Sequence, residues 1–364
     1  MDVSGKPNQR IAPIQRVSPS RASVLMACPL AEAFRSAGTV LRLPTHPKAH
    51  FGLLVHDFFP AVWTANAAAE SDVKQLWIAH VRRYEHSLSA DPLESSVLPL
   101  MATCEDFEVN SILAIKTAFK TCKYDENKPS AAYTAQEMEV VSHDGLIAGR
   151  LDKVRWERGI AAITDVKTGK PIDGEGNVRR DILVQLKLYA YLLYDRDGVW
   201  PASIRIQPLN GEAIAVEFTP EEVETLACEV REKLGKANET ISGVLDGKIE
   251  EAQLANPSPL NCRFCTFRIS CAAYWSARKL WLGETAPPDL EGILTSVTEQ
   301  SGGFYLLGLE TDEGAAAVRG FRLQFVRGSK RTPTTGEGAR VCEMRKERAP
   351  RTFSCRPMTV LLQT

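Results

Sequence analysis

The sequence holds no run approaching about 18 apolar residues, which predicts no membrane-spanning helix. It also has no excess of one charge: 44 Lys and Arg face 45 Asp and Glu, for a formal net charge of −1. Any attraction to a polyanion must therefore come from local patches. Met1 to Asn8 is polar with no apolar stretch, so no secretory signal is expected and the expected compartment is the cytoplasm. The nine cysteines show no paired spacing and read as reduced thiols, with a possible metal-binding subset. No Gly-x-x-x-x-Gly-Lys-Ser/Thr phosphate loop occurs, so any ATP-driven helicase would be a separate protein.

What is present falls into three stretches. Residues 1–17 read as a flexible leader. Ser18 then caps a helix running roughly from Arg21 to Ala37, which Pro29 should kink or break beside Cys28. From Gly52 to about Lys123 the composition is helical, interrupted at Ala90-Asp91-Pro92 and Pro99. Three strands follow, Tyr133 to Val141, Leu146 to Trp156 and Ile160 to Thr168, joined by Gly-containing turns. A helix from Asp181 to Asp195, a hairpin around Asn210-Gly211 and a helix opened by Thr219-Pro220-Glu221-Glu222 complete an α/β region. It ends in a Cys-bearing loop, Pro257 to Cys271. Past a linker near Gly283 to Pro288, residues 283–364 carry short strand-like runs between Gly-rich turns. They predict a small all-β module that resembles an OB fold in strand count and turns.

The chemistry concentrates on the third strand. Residues i and i+2 of a strand face one side about 6.5–7 Å apart, so Asp165 and Lys167 enter one cleft. Asp152, near the end of the preceding strand, can approach Asp165 across the hairpin. Two converging carboxylates need a cation between them, and Mg²⁺ suits a few carboxylates with water and phosphate oxygens. Lys167 could then orient an attacking water or stabilise charge on a phosphorane-like transition state. Gln185 and Tyr189, four apart on one helix, share a face that can meet phosphate or base edges. A solvated Asp-x-Lys hairpin and a Tyr half-buried against the sheet are the structural alternatives.

Together Gly52-x-x-x-His56, Gly149-x-x-Asp152, Asp165-Val166-Lys167 and Gln185-x-x-x-Tyr189 resemble, in order, the hallmarks of a RecB-like nuclease of the PD-(D/E)XK superfamily. The resemblance implies a restriction-endonuclease-like mixed sheet core flanked by helices over residues 18–282. It implies Mg²⁺ or Mn²⁺ held by His56, Asp152, Asp165 and the Val166 carbonyl, with Lys167 catalytic. The acid of the family's preceding strand would be Glu137 or Glu139, a choice the sequence leaves open. The family includes CRISPR-associated exonucleases and nuclease domains of recombination helicases. The implied activity is hydrolysis of DNA, on single strands or ends, exonuclease before endonuclease, with a helicase or a recombination or defence protein as possible partner. The competing class is a non-catalytic DNA-binding adaptor that positions such a partner. Intact Asp152, Asp165 and Lys167 argue against it.

Cys262-x-x-Cys265 followed by Cys271 puts three thiols in ten residues, a metal-type spacing, and Cys28 is the natural fourth ligand. Spacing leaves Zn²⁺ and an iron–sulfur centre open, and free thiols as the structural alternative. The Ser20 to Phe34 segment also resembles the family's iron–sulfur branch, which implies a 4Fe-4S cluster stapling the domain ends. In the last stretch basic residues outnumber acidic ones from Arg319 on, with Phe321, Phe325 and Phe353 interleaved. That pattern suggests a basic face with stacking rings, or a capping β domain whose basic face is simply solvated.

Overall fold

Two prolines set the first helices. Proline lacks the N–H that a first helical turn leaves unused, so it starts a helix well and cannot continue one. Accordingly α1 (Pro19–Ala27) and α2 (Pro29–Ala37) are separate, with Cys28 extended between them at φ −151°. The computed structural model describes residues 10–363 apart from 66, 68, 127–131, 282–286 and 328–331. Most of the expected linker and the basic pair Lys330-Arg331 lie outside the described residues. The leader expected over residues 1–17 is corrected in its second half. Ile11, Ile14 and Val17 are buried, and the Val17 N–H donates to the Leu146 carbonyl at 2.9 Å.

A helical lobe follows: α3 (Pro47–Ala65), α4 (Glu70–Ser89), the single turn α5 (Leu100–Thr103) and α6 (Phe107–Glu126). Its core is aromatic, with Phe58 edge-on to Trp77 at 4.8 Å and Phe51 edge-on to Phe107 at 5.5 Å. The start of α3 is pinned by buried Glu94, which meets His50 Nε2 at 3.0 Å, the Thr45 N–H at 2.9 Å and Arg42 at 2.6 Å.

The first sheet has order β1-β2-β3-β4-β5: β1 (Ala132–Val141), β2 (Ala148–Glu157), β3 (Ile160–Lys167), β4 (Ser203–Pro208) and β5 (Ile214–Val216). All pairings are antiparallel except β3 with β4. A parallel pair needs a crossover, supplied here by α7 (Arg180–Asp197). Helix α8 (Pro220–Leu245) begins with a capping box between Thr219 and Glu222. Leu151, Ile163, Leu186 and Ile204 form part of one core, which presses α1 and α7 onto the sheet.

The Cys loop carries the short helices α9 (Pro259–Cys262) and α10 (Ala272–Arg278). Beyond it β6 (Leu290–Gln300), β7 (Phe304–Thr311), β8 (Gly314–Phe321), β10 (Gly338–Lys346) and β11 (Thr352–Gln363) close on themselves, while β9 (Val326–Arg327) pairs with one end of β11. Strand β8 lies parallel to β11, β11 pairs β10, and β10 returns to β6. These five strands thus make a small β-barrel. Its aromatics are not stacking platforms, however. Phe321, Phe325 and Phe353 are buried in the barrel core, while Arg319, Arg322, Lys346 and Arg348 are exposed. Barrel and Cys loop are joined by a buried network. Arg268 Nε donates to Asp289 Oδ2 at 2.7 Å and also binds Glu343, and Tyr274 donates to Asp289 at 2.7 Å.

Candidate active site

The β2–β3 ladder stops at Lys153 and Thr164, so Asp152 and Asp165 sit where the two strands part. There Asp152 Oδ2 accepts the Val166 N–H at 2.7 Å, and Asp152 Oδ1 lies 3.3 Å from His56 Nδ1 on α3. Asp165 is 1 % exposed. Its Oδ2 is 2.8 Å from Lys167 Nζ, yet at an angle that leaves this buried oxygen without a hydrogen bond. Lys167 Nζ donates to Gln185 Oε1 at 2.9 Å.

Of the two candidate acids on β1, Glu137 enters the site. The β1–β2 pairs run Gln136 with Lys153 and then Met138 with Leu151, skipping Glu137, whose φ is +49°. A glutamate in the left-handed region costs about 1–3 kcal/mol, and such strain clusters at functional sites. Here it carries the carboxylate to 4.0 Å from His56 Nδ1, with Arg150 Nε gripping the other oxygen at 2.6 Å. Ligand atoms of His56, Glu137 and Asp152 all lie within 4.8 Å of one another. Arg150 was not singled out from the sequence. Its signal was present, because it stands two residues before Asp152 on the same strand and so shares a face with it.

Tyr189 is corrected from a substrate contact to a support. The ring is 5 % exposed, and its oxygen accepts from Gln185 Nε2 at 3.0 Å. It packs on Gly149, where a Cβ would stand 3.1 Å from the Tyr189 ring and 2.7 Å from Pro19. Gly149 is thus the space that lets α1 and α7 close on β2. Gln185, held by Tyr189, holds Lys167 in turn.

The electrostatics of the pocket suit a cation. Burial pushes the Glu137 carboxyl up to about 7, with Asp152 adding to the shift and Arg150 opposing it. Burial and then Asp152 push Asp165 upward as well. Burial alone would lower the His56 imidazole, but neighbouring Asp152 overrides it and the net shift is upward. Carboxylates that resist ionising together form a hard oxygen-rich donor set suited to Mg²⁺ or Mn²⁺.

Cys28, Cys262, Cys265 and Cys271 line one cavity of about 810 Å³. Asn256 Nδ2 donates to the Ala27 carbonyl at 2.9 Å and fastens the Cys loop to the end of α1. Burial raises Cys262 to about 12 and Cys271 to about 11, and the neighbouring sulfurs add to both shifts. Thiols gathered along one cavity fit a metal centre, whose positive charge would offset that of thiolate ligands.

Among known proteins, the PD-(D/E)XK nuclease superfamily matches residues 16–272. No curated protein matches. Among solved structures, a murine DNA-binding protein bound with double-stranded DNA aligns at 12 % identity over 63 % of this chain and 92 % of its own. Its TM-score of 0.17 carries no structural argument.

Proposed function

Because the chain belongs to the PD-(D/E)XK nuclease superfamily, we propose that it is a metal-dependent nuclease hydrolysing phosphodiester bonds in DNA at single strands or ends. The observation that carries this reading is the convergence of His56, Glu137 and Asp152 beside the Asp165–Lys167–Gln185 chain. His56, Glu137, Asp152 and Asp165, with the Val166 carbonyl, would hold the divalent ion. Bound there, Mg²⁺ or Mn²⁺ would supply Lewis acidity to the scissile phosphate. Lys167 has three donors, of which Gln185 takes one, so its ammonium can also reach a water or a phosphate oxygen. Gln185 and Tyr189 position that ammonium. Residues 18–282 would form the catalytic unit and 283–364 its β module.

The second part of the reading is a structural 4Fe-4S cluster on Cys28, Cys262, Cys265 and Cys271. The resemblance of the Ser20 to Phe34 segment to the iron–sulfur branch favours that cluster over zinc, which four thiolates could also hold. Arg21 and Arg268 lie close enough to Cys265 to offset its charge.

The test is digestion of end-labelled single- and double-stranded DNA with Mg²⁺ or Mn²⁺. Asp165→Ala and Lys167→Ala should each lower the rate by about 10²-fold or more in protein that circular dichroism shows to be folded. Mutants that cleave like the parent would refute the site. Mononucleotides released from one end support exonuclease action, and internal fragments count against it. For the cluster, protein purified without oxygen should absorb in the sulfur-to-iron charge-transfer region, and Cys28→Ser should lose iron. A colourless, zinc-loaded protein would refute it.

A further inference from the structure

A cavity of about 1190 Å³ lies apart from the metal site. It lies where α1, α2, the segment before α3 and the Cys loop meet the barrel, and its charge is one-sided. Seven Lys and Arg line it against a single carboxylate, Glu105. In a chain with a net charge of −1, that concentration calls for an occupant.

Not all of these cations are available. Arg21 and, at 3.8 Å, Arg35 share buried Glu32, Arg42 is paired with buried Glu94, Lys48 with Glu105 at 2.7 Å, and Arg179 with Asp181 at 2.7 Å. Such pairs fix a guanidinium while leaving part of its five-donor fork exposed. Repulsion nevertheless persists, because burial and neighbouring Arg21 lower the Arg35 pKa. The barrel contributes Arg345 and Arg356, both exposed and with no ion pair among the described residues. Phe264, on the Cys loop between Cys262 and Cys265, presents a ring at the rim and is 75 % exposed.

We propose that this groove binds the backbone of one DNA strand leading to the metal site, with Phe264 stacking on a base. The proposal rests on the nuclease reading for its direction, and two observations give it its content. Two elements run from groove to site. Lys48 lies eight residues before His56 on α3, about 12 Å at 1.5 Å per residue, and Arg179 immediately precedes α7, which carries Gln185. Fixed cations with an exposed aromatic are also how single strands are held without sequence preference. The barrel's role follows: strands β10 and β11 complete the groove wall, and the Arg268–Asp289–Glu343 network locks that wall to the Cys loop.

The test measures binding by fluorescence anisotropy of labelled oligo(dT), with the full chain in EDTA so that nothing is cleaved. The double variant Arg345→Glu/Arg356→Glu should weaken binding about 10-fold or more and reduce the log–log salt slope by about 1.4, for two lost phosphate contacts. Phe264→Ala should weaken it about 5-fold or more with the salt slope unchanged. Arg348→Glu, an equally exposed charge outside the groove, should bind as the parent does. Parental affinity in both groove variants would overturn the proposal. So would tighter binding of duplex DNA or oligo(rU) than of oligo(dT). The two readings fail separately. A protein inert on DNA with Mn²⁺ but showing groove-dependent binding refutes the nuclease and keeps the groove. One that cleaves DNA while its charge-reversed variant binds normally refutes only the groove.

Discussion

Replacing Glu137 by Gln separates what the carboxylate does for the fold from what it does for a cation. In the metal-free protein its charge works against folding, because burial, aided by Asp152, raises its pKa from 4.5 to about 7. Linkage makes a shift of that size worth on the order of 3 kcal/mol. A folded-state pKa above the unfolded one gives stability that is complete below pH 4.5 and lost as pH rises through about 7. In EDTA above that range Glu137→Gln should therefore be the more stable protein. The attraction of half-exposed Arg150 is already contained in that shift, so the expected gain stays on the order of 3 kcal/mol. With Mn²⁺ at about 1,000 times its dissociation constant the parent gains about 4.1 kcal/mol, and the variant, lacking an anionic ligand, gains much less. The order of stabilities then reverses. Urea unfolding at pH 4.5 and above pH 7, with EDTA and with Mn²⁺, reads all four quantities. Equal Mn²⁺ stabilisation in both proteins, or a less stable variant in EDTA at the higher pH, would refute the assignment.

Two further predictions test the frame around the site. Gly149→Ala places a methyl group against Pro19 and the Tyr189 ring, and should cost about 1–3 kcal/mol of stability by denaturant titration. Burial would raise Glu94, but hydrogen bonds from His50, Thr45 and Arg42 hold it at about 2, so its stability is present above pH 4.5 and lost as pH falls toward 2. Glu94→Gln should cost roughly 3–5 kcal/mol at neutral pH, and the difference from the parent should vanish at low pH in the same titration.

Much of the fold was legible because local chemistry and tertiary need agreed. Pro29 breaks the first helical stretch, Asn210-Gly211 turns the hairpin, and Thr219 caps α8, each as expected. The errors came where a residue type has two uses. Ile11, Ile14 and Val17 have no strand or helix periodicity, so nothing local marked them as core, yet they fill the space beside β2. Phe321 and Phe353 alternate with arginines on strands as a stacking face would. The same alternation arises when a barrel turns its rings inward and its charges out, and that is what closure of β6 through β11 enforces.

The site divides along the same line. Asp152, Asp165 and Lys167 could be read from spacing, because strand pairing converts i, i+2 and hairpin distance directly into proximity. Glu137 could not be separated from Glu139. The two are i and i+2 on β1, and any argument from period assigns them the same face. What separates them is one backbone angle, +49° at Glu137, which takes that residue out of the ladder while Glu139 stays paired opposite Arg150. A left-handed glutamate is disfavoured locally, so no propensity scale would place it there, and it persists only because the strands on either side of it are fixed. The residue least accessible to sequence reasoning is thus the one whose conformation is most costly. That cost is offset where Glu137 meets a cation, which is why its substitution by Gln, rather than that of any motif residue, discriminates best between a metal site and a chance meeting of acids.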